Sequence, residues 1–252
     1  FLPGTTVKVG EQPITDLVIP SPTRMSITLP TSPSNWGPAV IEVQSPTGQK
    51  VTRADLFTFY AEQLSFSNQS IPAGPGPRWI ATADLNGDRK LDLAVTNFSS
   101  DSFSLFFGDG AGGFGQSRTF TVGSSPRGIV VADFNQDNKP DYAVAVSGGN
   151  YVSILLGDGM GGAGTPKNLT TDQTPYGLAA GDWNSDGKID LVVANQLSNN
   201  ISMLIGDGRG GFAAPSNFAV GVGPQVVAGE DWNHDGLLDV AVVNSNGNTL
   251  TV

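Results

Sequence analysis

The sequence contains no cysteine and a single histidine. Disulfides, thiolate metal sites and a cysteine nucleophile are therefore excluded, and so is a zinc centre built from Cys and His. Long apolar runs are also missing: stretches such as Ile129 to Ala132 and Leu191 to Ala194 fall far short of the ~20 residues that span a bilayer. Neither a basic n-region nor an apolar h-region stands at the start, where Phe1-Leu-Pro-Gly4 leads straight into strand-like sequence. No signal peptide is expected in this segment, and the true N-terminus is expected upstream of it. Positive charge is scarce, with 13 Lys and Arg against 23 Asp and Glu and a formal net charge of -10. That balance opposes nucleic acid and anionic membrane surfaces as partners.

Turns, by contrast, are abundant. The chain of 252 residues carries 33 Gly and 17 Pro, well above the usual share, while 38% apolar content suffices for a packed core. The acids are concentrated as well. Twelve of the 23 lie in four short loops, so four divalent cations would bring the formal charge from -10 to -2.

Those loops read Asp84-Leu-Asn-Gly-Asp-Arg-Lys-Leu-Asp92, Asp133-Phe-Asn-Gln-Asp-Asn-Lys-Pro-Asp141, Asp182-Trp-Asn-Ser-Asp-Gly-Lys-Ile-Asp190 and Asp231-Trp-Asn-His-Asp-Gly-Leu-Leu-Asp239, at a constant period of 49 residues. A second marker keeps the same phase: Leu105-Phe-Phe-Gly-Asp-Gly-Ala-Gly-Gly-Phe114, Ile154-Leu-Leu-Gly-Asp-Gly-Met-Gly-Gly-Ala163 and Met203-Leu-Ile-Gly-Asp-Gly-Arg-Gly-Gly-Phe212. A fixed period of 20 to 50 residues signals a repeat architecture. Within the unit around the second loop, β-rich runs and turn residues predict strands over Gly128 to Ala132, Asp141 to Ser147, Tyr151 to Leu156 and about Pro166 to Thr170. Four antiparallel strands per repeat predict an all-β fold, a β-propeller of four-stranded blades. A parallel β-helix also repeats acidic turns, but at a much shorter period.

Calcium takes six to eight hard oxygen ligands in flexible geometry, and alternate residues of a tight loop direct such oxygens inward. Side-chain oxygens of positions 1, 3, 5 and 9 and the backbone carbonyl of position 7 form the expected ligand set. This gives Asp84, Asn86, Asp88, Lys90 and Asp92; Asp133, Asn135, Asp137, Lys139 and Asp141; Asp182, Asn184, Asp186, Lys188 and Asp190; and Asp231, Asn233, Asp235, Leu237 and Asp239. Up to four Ca2+ ions are expected, with magnesium disfavoured by its stricter octahedron. Position 6 calls for Gly or Asn at a sharp turn; Arg89 departs from this, so the first loop is expected to bind most weakly unless Gly87 absorbs the turn. The metal-free alternative is a set of polar turns closed by Asx hydrogen bonds.

These loops resemble the calcium loops of FG-GAP/VCBS repeats, the family that includes the propeller of integrin α subunits. The resemblance covers about residues 64 to 252. It implies the same calcium ligands, a seven-bladed propeller of which four repeats are present, an extracellular or cell-surface location, and a role in adhesion and recognition with another protein or a surface glycan as partner. It implies no enzyme, no nucleic acid and no membrane insertion in this segment. A lectin-like carbohydrate-binding propeller attached to a larger extracellular enzyme stands as the alternative. Catalytic carboxylates are not expected, because every paired acid belongs to a repeated loop. His234 reads as an exposed turn residue, Asp109, Asp158 and Asp207 as hairpin tips, and Trp183 and Trp232 as packing between blades.

Residues 1–62 show neither marker. Short strands at Thr6 to Val9, Ile14 to Ile19, Met25 to Leu29, Ala39 to Val43 and Leu56 to Tyr60 suggest a β-sandwich. Thr6-Val-Lys-Val-Gly10, Ser21-Pro-Thr-Arg-Met-Ser-Ile-Thr-Leu-Pro30, Gly37-Pro-Ala-Val-Ile-Glu-Val43, Pro46-Thr-Gly48 and Phe57-Thr-Phe-Tyr60 resemble the C-terminal part of an IPT/TIG immunoglobulin-like domain, which implies a partial Ig-like sandwich. The expected boundary places the propeller over 63–252, beginning with an outer strand at Phe66 to Ile71 and ending inside a third strand at Thr249 to Val252. Four blades closed by the N-terminal strand, or a truncated larger ring, both fit that layout.

Overall fold

A computed structural model describes residues 70–252 continuously and, ahead of them, residues 6–9, 12–13, 17–21, 24–27, 37–38, 41–44, 46–47, 50–53 and 58–59. The chain divides into two compact units, Phe1–Gln69 and Ser70–Val252. In the first unit the described strands are β1 (Thr6–Val9), β2 (Gln12–Pro13), β3 (Leu17–Ser21), β4 (Arg24–Ile27), β5 (Gly37–Pro38), β6 (Ile41–Gln44), β7 (Lys50–Arg53) and β8 (Thr58–Phe59). They form an antiparallel sheet in the order β2-β1-β6-β7 and two antiparallel pairs, the hairpin β3-β4 and the longer-range β5-β8. β7 was not anticipated from sequence, because Lys50-Val-Thr-Arg53 carries only one apolar residue.

In the second unit, four sheets follow one another along the chain. The first holds β9 (Pro77–Ala83), β10 (Asp92–Asn97), β11 (Ser102–Gly108) and β12 (Phe114–Thr121). The second holds β13 (Pro126–Ala132), β14 (Asp141–Val146), β15 (Tyr151–Leu155) and β16 (Lys167–Thr170), within about two residues of the expected bounds. The third holds β17 (Pro175–Gly181), β18 (Asp190–Asn195), β19 (Asn200–Leu204) and β20 (Ser216–Ala219), and the last holds β21 (Pro224–Glu230), β22 (Asp239–Asn244) and β23 (Thr249–Thr251). All neighbours are antiparallel and sequential, and no strand pairs from one sheet to the next. The expected outer strand at Phe66 to Ile71 lies outside the described residues at 66–69, and Ser70 and Ile71 are not in a strand.

Burial explains this order. Every residue of β14 and β18 is buried, as near-continuous apolar runs such as Asp190-Leu-Val-Val-Ala-Asn195 require when both faces of a strand are covered. Fourth strands are polar and exposed, β20 along its whole length. The first strands of successive sheets lie side by side, β13 against β9, β17 against β13 and β21 against β17. Glycine permits this approach: a Cβ on Gly128 would stand 2.6 Å from the Tyr176 carbonyl oxygen, and one on Gly177 would stand 2.4 Å from that of Gln225.

Three apolar clusters fill the spaces between consecutive sheets, and each receives position 2 of the preceding acidic loop. Leu85 packs among Ile129, Tyr142 and Leu155; Phe134 among Leu191, Leu204 and Phe212; Trp183 beside Val227 and Val242. Burying such a side chain completely contributes roughly 1.5–3 kcal/mol. The expected packing role of this slot therefore holds for Trp183, whereas Trp232 is 46% exposed.

Candidate metal centre

Each acidic loop joins the first strand of a sheet to the second. Two left-handed residues fold it back on itself. Position 4 has positive φ in every copy, at Gly87 (80°), Gln136 (60°), Ser185 (58°) and His234 (61°), and so does position 6, at Arg89 (64°), Asn138 (61°), Gly187 (79°) and Gly236 (87°). Gly87 thus does not absorb the turn on behalf of Arg89, since both positions are left-handed in all four loops. Arg89 takes a conformation that costs a residue with a Cβ about 1–2 kcal/mol.

This curvature turns backbone N–H groups toward the side-chain oxygens of positions 1, 3 and 5, which are Asp, Asn and Asp. In the first loop, Asp84 Oδ1 accepts from the N–H of Gly87 (2.8 Å) and Asp88 (3.1 Å), and its Oδ2 accepts from Arg89 (2.7 Å). Asn86 Oδ1 accepts from Asp88 N–H at 2.9 Å, and Asp88 Oδ1 from Lys90 N–H at 2.9 Å. Apart from the Gly87 bond, the pattern recurs with Asp133, Asn135 and Asp137, with Asp182, Asn184 and Asp186, and with Asp231, Asn233 and Asp235. The lysine at position 7 adds an ammonium near the outer oxygen of position 5, at 3.4 Å for Lys90–Asp88, 3.3 Å for Lys139–Asp137 and 3.1 Å for Lys188–Asp186. The fourth loop has Leu237 there, and Asn233 Nδ2 donates to Asp235 Oδ2 at 3.0 Å instead. The Lys90 N–H holds the Asp88 carboxyl below its ordinary value, and the Lys188 side chain does the same for Asp186.

Position 9 behaves differently. Asp92, Asp141 and Asp190 are fully buried, and each carboxylate bridges two backbone donors. Asp92 Oδ2 accepts from Leu85 N–H (2.9 Å) and Oδ1 from Gly108 N–H (2.8 Å). Asp141 joins Phe134 and Gly157 at 2.9 and 2.8 Å, and Asp190 joins Trp183 and Gly206 at 3.1 and 2.8 Å. Asp239 accepts from Trp232 at 3.2 Å. Burial pushes the carboxyls of Asp141 and Asp190 upward, and the charges of Asp137 and Asp133, or Asp186 and Asp182, push in the same direction.

The glycine reached by position 9 opens the Gly-Asp-Gly turn, so the two periodic motifs are parts of one contact. A Cβ at Gly108, Gly157 or Gly206 would stand 2.2, 1.9 or 2.2 Å from the carbonyl oxygen of Leu91, Pro140 or Ile189, which leaves room for glycine alone. Sequence reasoning missed this link; the signal was the constant 16-residue step from Asp92 to Gly108. The turn acids close their own tips as expected: Asp109 Oδ1 accepts from Ala111 and Gly113 at 2.7 and 2.9 Å, and Asp158 and Asp207 repeat the pattern. These turns also reach back one sheet, with Gly161 N–H on Leu85 O (2.9 Å) and Gly210 N–H on Phe134 O (3.0 Å).

The donor set at each loop is made of hard oxygens, and each carboxylate oxygen retains lone-pair capacity beyond the N–H it accepts. The residues therefore fit a calcium-type ion in chemistry. Among the described residues, no three His, Asp or Glu side chains are gathered closely enough to hold one.

Successive four-stranded antiparallel sheets, each carrying an acidic loop latched to the following hairpin turn, define a tandem β-repeat protein. The FG-GAP-like repeat matches three overlapping stretches, residues 84–144, 133–193 and 182–242, and the chain belongs to that family. No curated protein matches it. Among solved structures, it is similar to a protein of unknown function from Desulfotomaculum acetoxidans, with 14% identity over 98% of this chain and 81% of that one and a TM-score of 0.50. It is also similar to a Photorhabdus luminescens Tc holotoxin pore (17% identity, 87% of this chain, TM-score 0.43) and to BBS1N in complex with ARL6DN (16% identity, 72% of this chain, TM-score 0.46). The chain spans 11% and 57% of the length of those last two. At these identities the likeness concerns the fold.

Proposed function

We propose that residues 63–252 are part of a β-propeller whose blades are stabilised by calcium, preceded over 1–62 by a partial Ig-like sandwich. The module acts in recognition or adhesion at the cell surface or outside the cell, without catalysis. The observation that carries this reading is the fourfold loop in which backbone N–H groups order the side-chain oxygens of positions 1, 3 and 5. An ion would be held by the side-chain oxygens of positions 1, 3, 5 and 9 and the carbonyl of position 7, and it would supply the positive charge that these crowded carboxylates lack. Affinity in the range of extracellular calcium modules, roughly 10⁻⁴ to 10⁻³ M, is expected. Side-by-side first strands support an arrangement of blades around an axis.

The test is thermal melting in excess calcium and in excess EGTA. A higher melting temperature with calcium supports the reading, and superimposable curves overturn it.

One observation favours the lectin-like alternative. A cleft of about 340 Å³ is lined by Asn86, Phe107, Asp109, Gln116, Arg118 and Met160, an aromatic face among hydrogen-bonding groups. Leu156 and Ile205 replace Phe107 in the following sheets, so the cleft does not recur as blade-by-blade sugar sites would. Binding on a glycan array that fails in Phe107→Ala would establish this second role.

A further inference from the structure

The ends of the sheets remote from the acidic loops carry an arrangement that the calcium reading does not use. Arg78 lies near the start of β9, and Arg127 occupies the same slot in β13; each is ~20 Å of strand from its acidic loop. The Arg78 guanidinium carbon sits 4.8 Å from the centre of the Phe98 ring. That of Arg127 sits 5.0 Å from the same ring and 4.3 Å from the ring of Tyr176. Two cations are thus stacked on one aromatic ring.

Neither has a carboxylate partner. All ion pairs among the described residues are the three Lys–Asp pairs of the acidic loops. Arg127 donates Nε–H to Ser147 Oγ at 3.1 Å, and the Arg78 guanidinium donates no hydrogen bond among the described residues. The connections at this end of the described sheets contain two acids. Asp101 Oδ1 accepts the N–H of Ser125, and Asp172 Oδ2 accepts the amides of Asn200 and Asn217. In a chain with a net charge of -10, two guanidiniums that share one ring and have no carboxylate partner among the described residues stand out.

A ring contact occupies the face of a guanidinium and leaves N–H groups at its edge for a planar carboxylate; in Arg127 these are the terminal Nη groups, because Nε–H is donated to Ser147. The same end exposes apolar side chains in its connections, Leu197 at 66% and Val222 at 54%. Guanidiniums at an end of the sheets that also exposes apolar groups suit a chain bearing both kinds of side chain better than a bare oxyanion. We propose that Arg78 and Arg127 form a binding site for an acidic peptide segment, whose carboxylates take the edges of the two guanidiniums and whose apolar residues lie against this end of the sheets. The inference rests on the recognition reading and names its ligand class.

The test is fluorescence anisotropy of a fluorescein-labelled six-residue peptide of alternating glutamate and leucine, at low ionic strength, with a glutamine–leucine peptide and inorganic phosphate as controls. Saturable binding of the acidic peptide is expected, weakened about tenfold by Arg78→Gln and by a smaller factor by Arg78→Lys, which keeps the charge but loses the planar N–H edge. Arg78 is exposed and, among the described residues, makes one ring contact and no ion pair, so Arg78→Gln is expected to melt like the parent, and its melting curve verifies that it is folded. Equal binding by Arg78→Gln, equal binding of the glutamine peptide, or phosphate binding as tight as that of the acidic peptide overturns the proposal. The stabilisation by calcium does not involve Arg78, so the two readings fail separately.

Discussion

Within one nine-residue loop, the same side chain does two kinds of work. At the rim, Asp186 is exposed, takes the Lys188 N–H and has its carboxyl held low. At the root, Asp190 is fully buried, takes the N–H groups of Trp183 and Gly206 and has its carboxyl pushed up. The rim organises one loop, whereas the root fastens that loop to a hairpin turn 16 residues further on. The repeated loop is therefore not a uniform set of oxygens: those at positions 1, 3 and 5 are ordered by N–H groups of their own loop, whereas those at position 9 also tie the loop to the next turn.

Removing calcium is the broadest way to break this comparison. At about ten times the dissociation constant, each occupied loop is expected to gain roughly 1.4 kcal/mol, so chelation should lower the melting temperature more than any single rim substitution. Asp190→Ala comes next. It strands two buried N–H donors at about 1–3 kcal/mol each and should cost about 3 kcal/mol in urea denaturation with EGTA present. A cost no larger than that of Asp186→Ala would erase the distinction between root and rim.

Asp186→Ala itself should change stability in EGTA by less than about 0.5 kcal/mol, as exposed substitutions do. In isothermal titration it should remove one calcium equivalent. An effect of similar size and favourable sign is expected of Arg89→Gly. Relief of the left-handed strain, partly offset by the greater freedom of glycine in the unfolded chain, should raise stability by about 0.5 kcal/mol. The same variant tests whether the first loop is the weakest: calcium affinity there should rise toward that of the third loop.

Much of this was legible in the sequence because it is local. Strand limits around the second loop follow from short apolar runs bounded by Gly, Pro and Asn, and the observed β13 to β16 lie close to them. The antiparallel four-strand repeat follows from the 49-residue period. What the sequence did not disclose depends on approach over distance. The Asp92 carboxylate reads as a loop residue until β10 pairs with β11 and brings Gly108 beside it. Arg127 reads as an ordinary surface cation until Phe98 and Tyr176, from the neighbouring sheets, close on it. In the first unit, β7 was missed because its pairing with β6, rather than its composition, makes it a strand.

The tie between position 9 and the Gly-Asp-Gly turn also divides the repeat into a constant half and an editable half. Asp92 and Gly108 sit across the open end of a hairpin whose tip, near Phe98 to Asp101, lies at the other extremity. Residues added at that tip lengthen the connection without disturbing the tie, whereas a residue added to the acidic loop or its partner turn shifts the carboxylate off its donors. Lineages of this module are thus free to diversify the surface around Arg78 and Arg127 while the acidic end stays fixed in length. New partners could be acquired there without rebuilding the end that holds each sheet together.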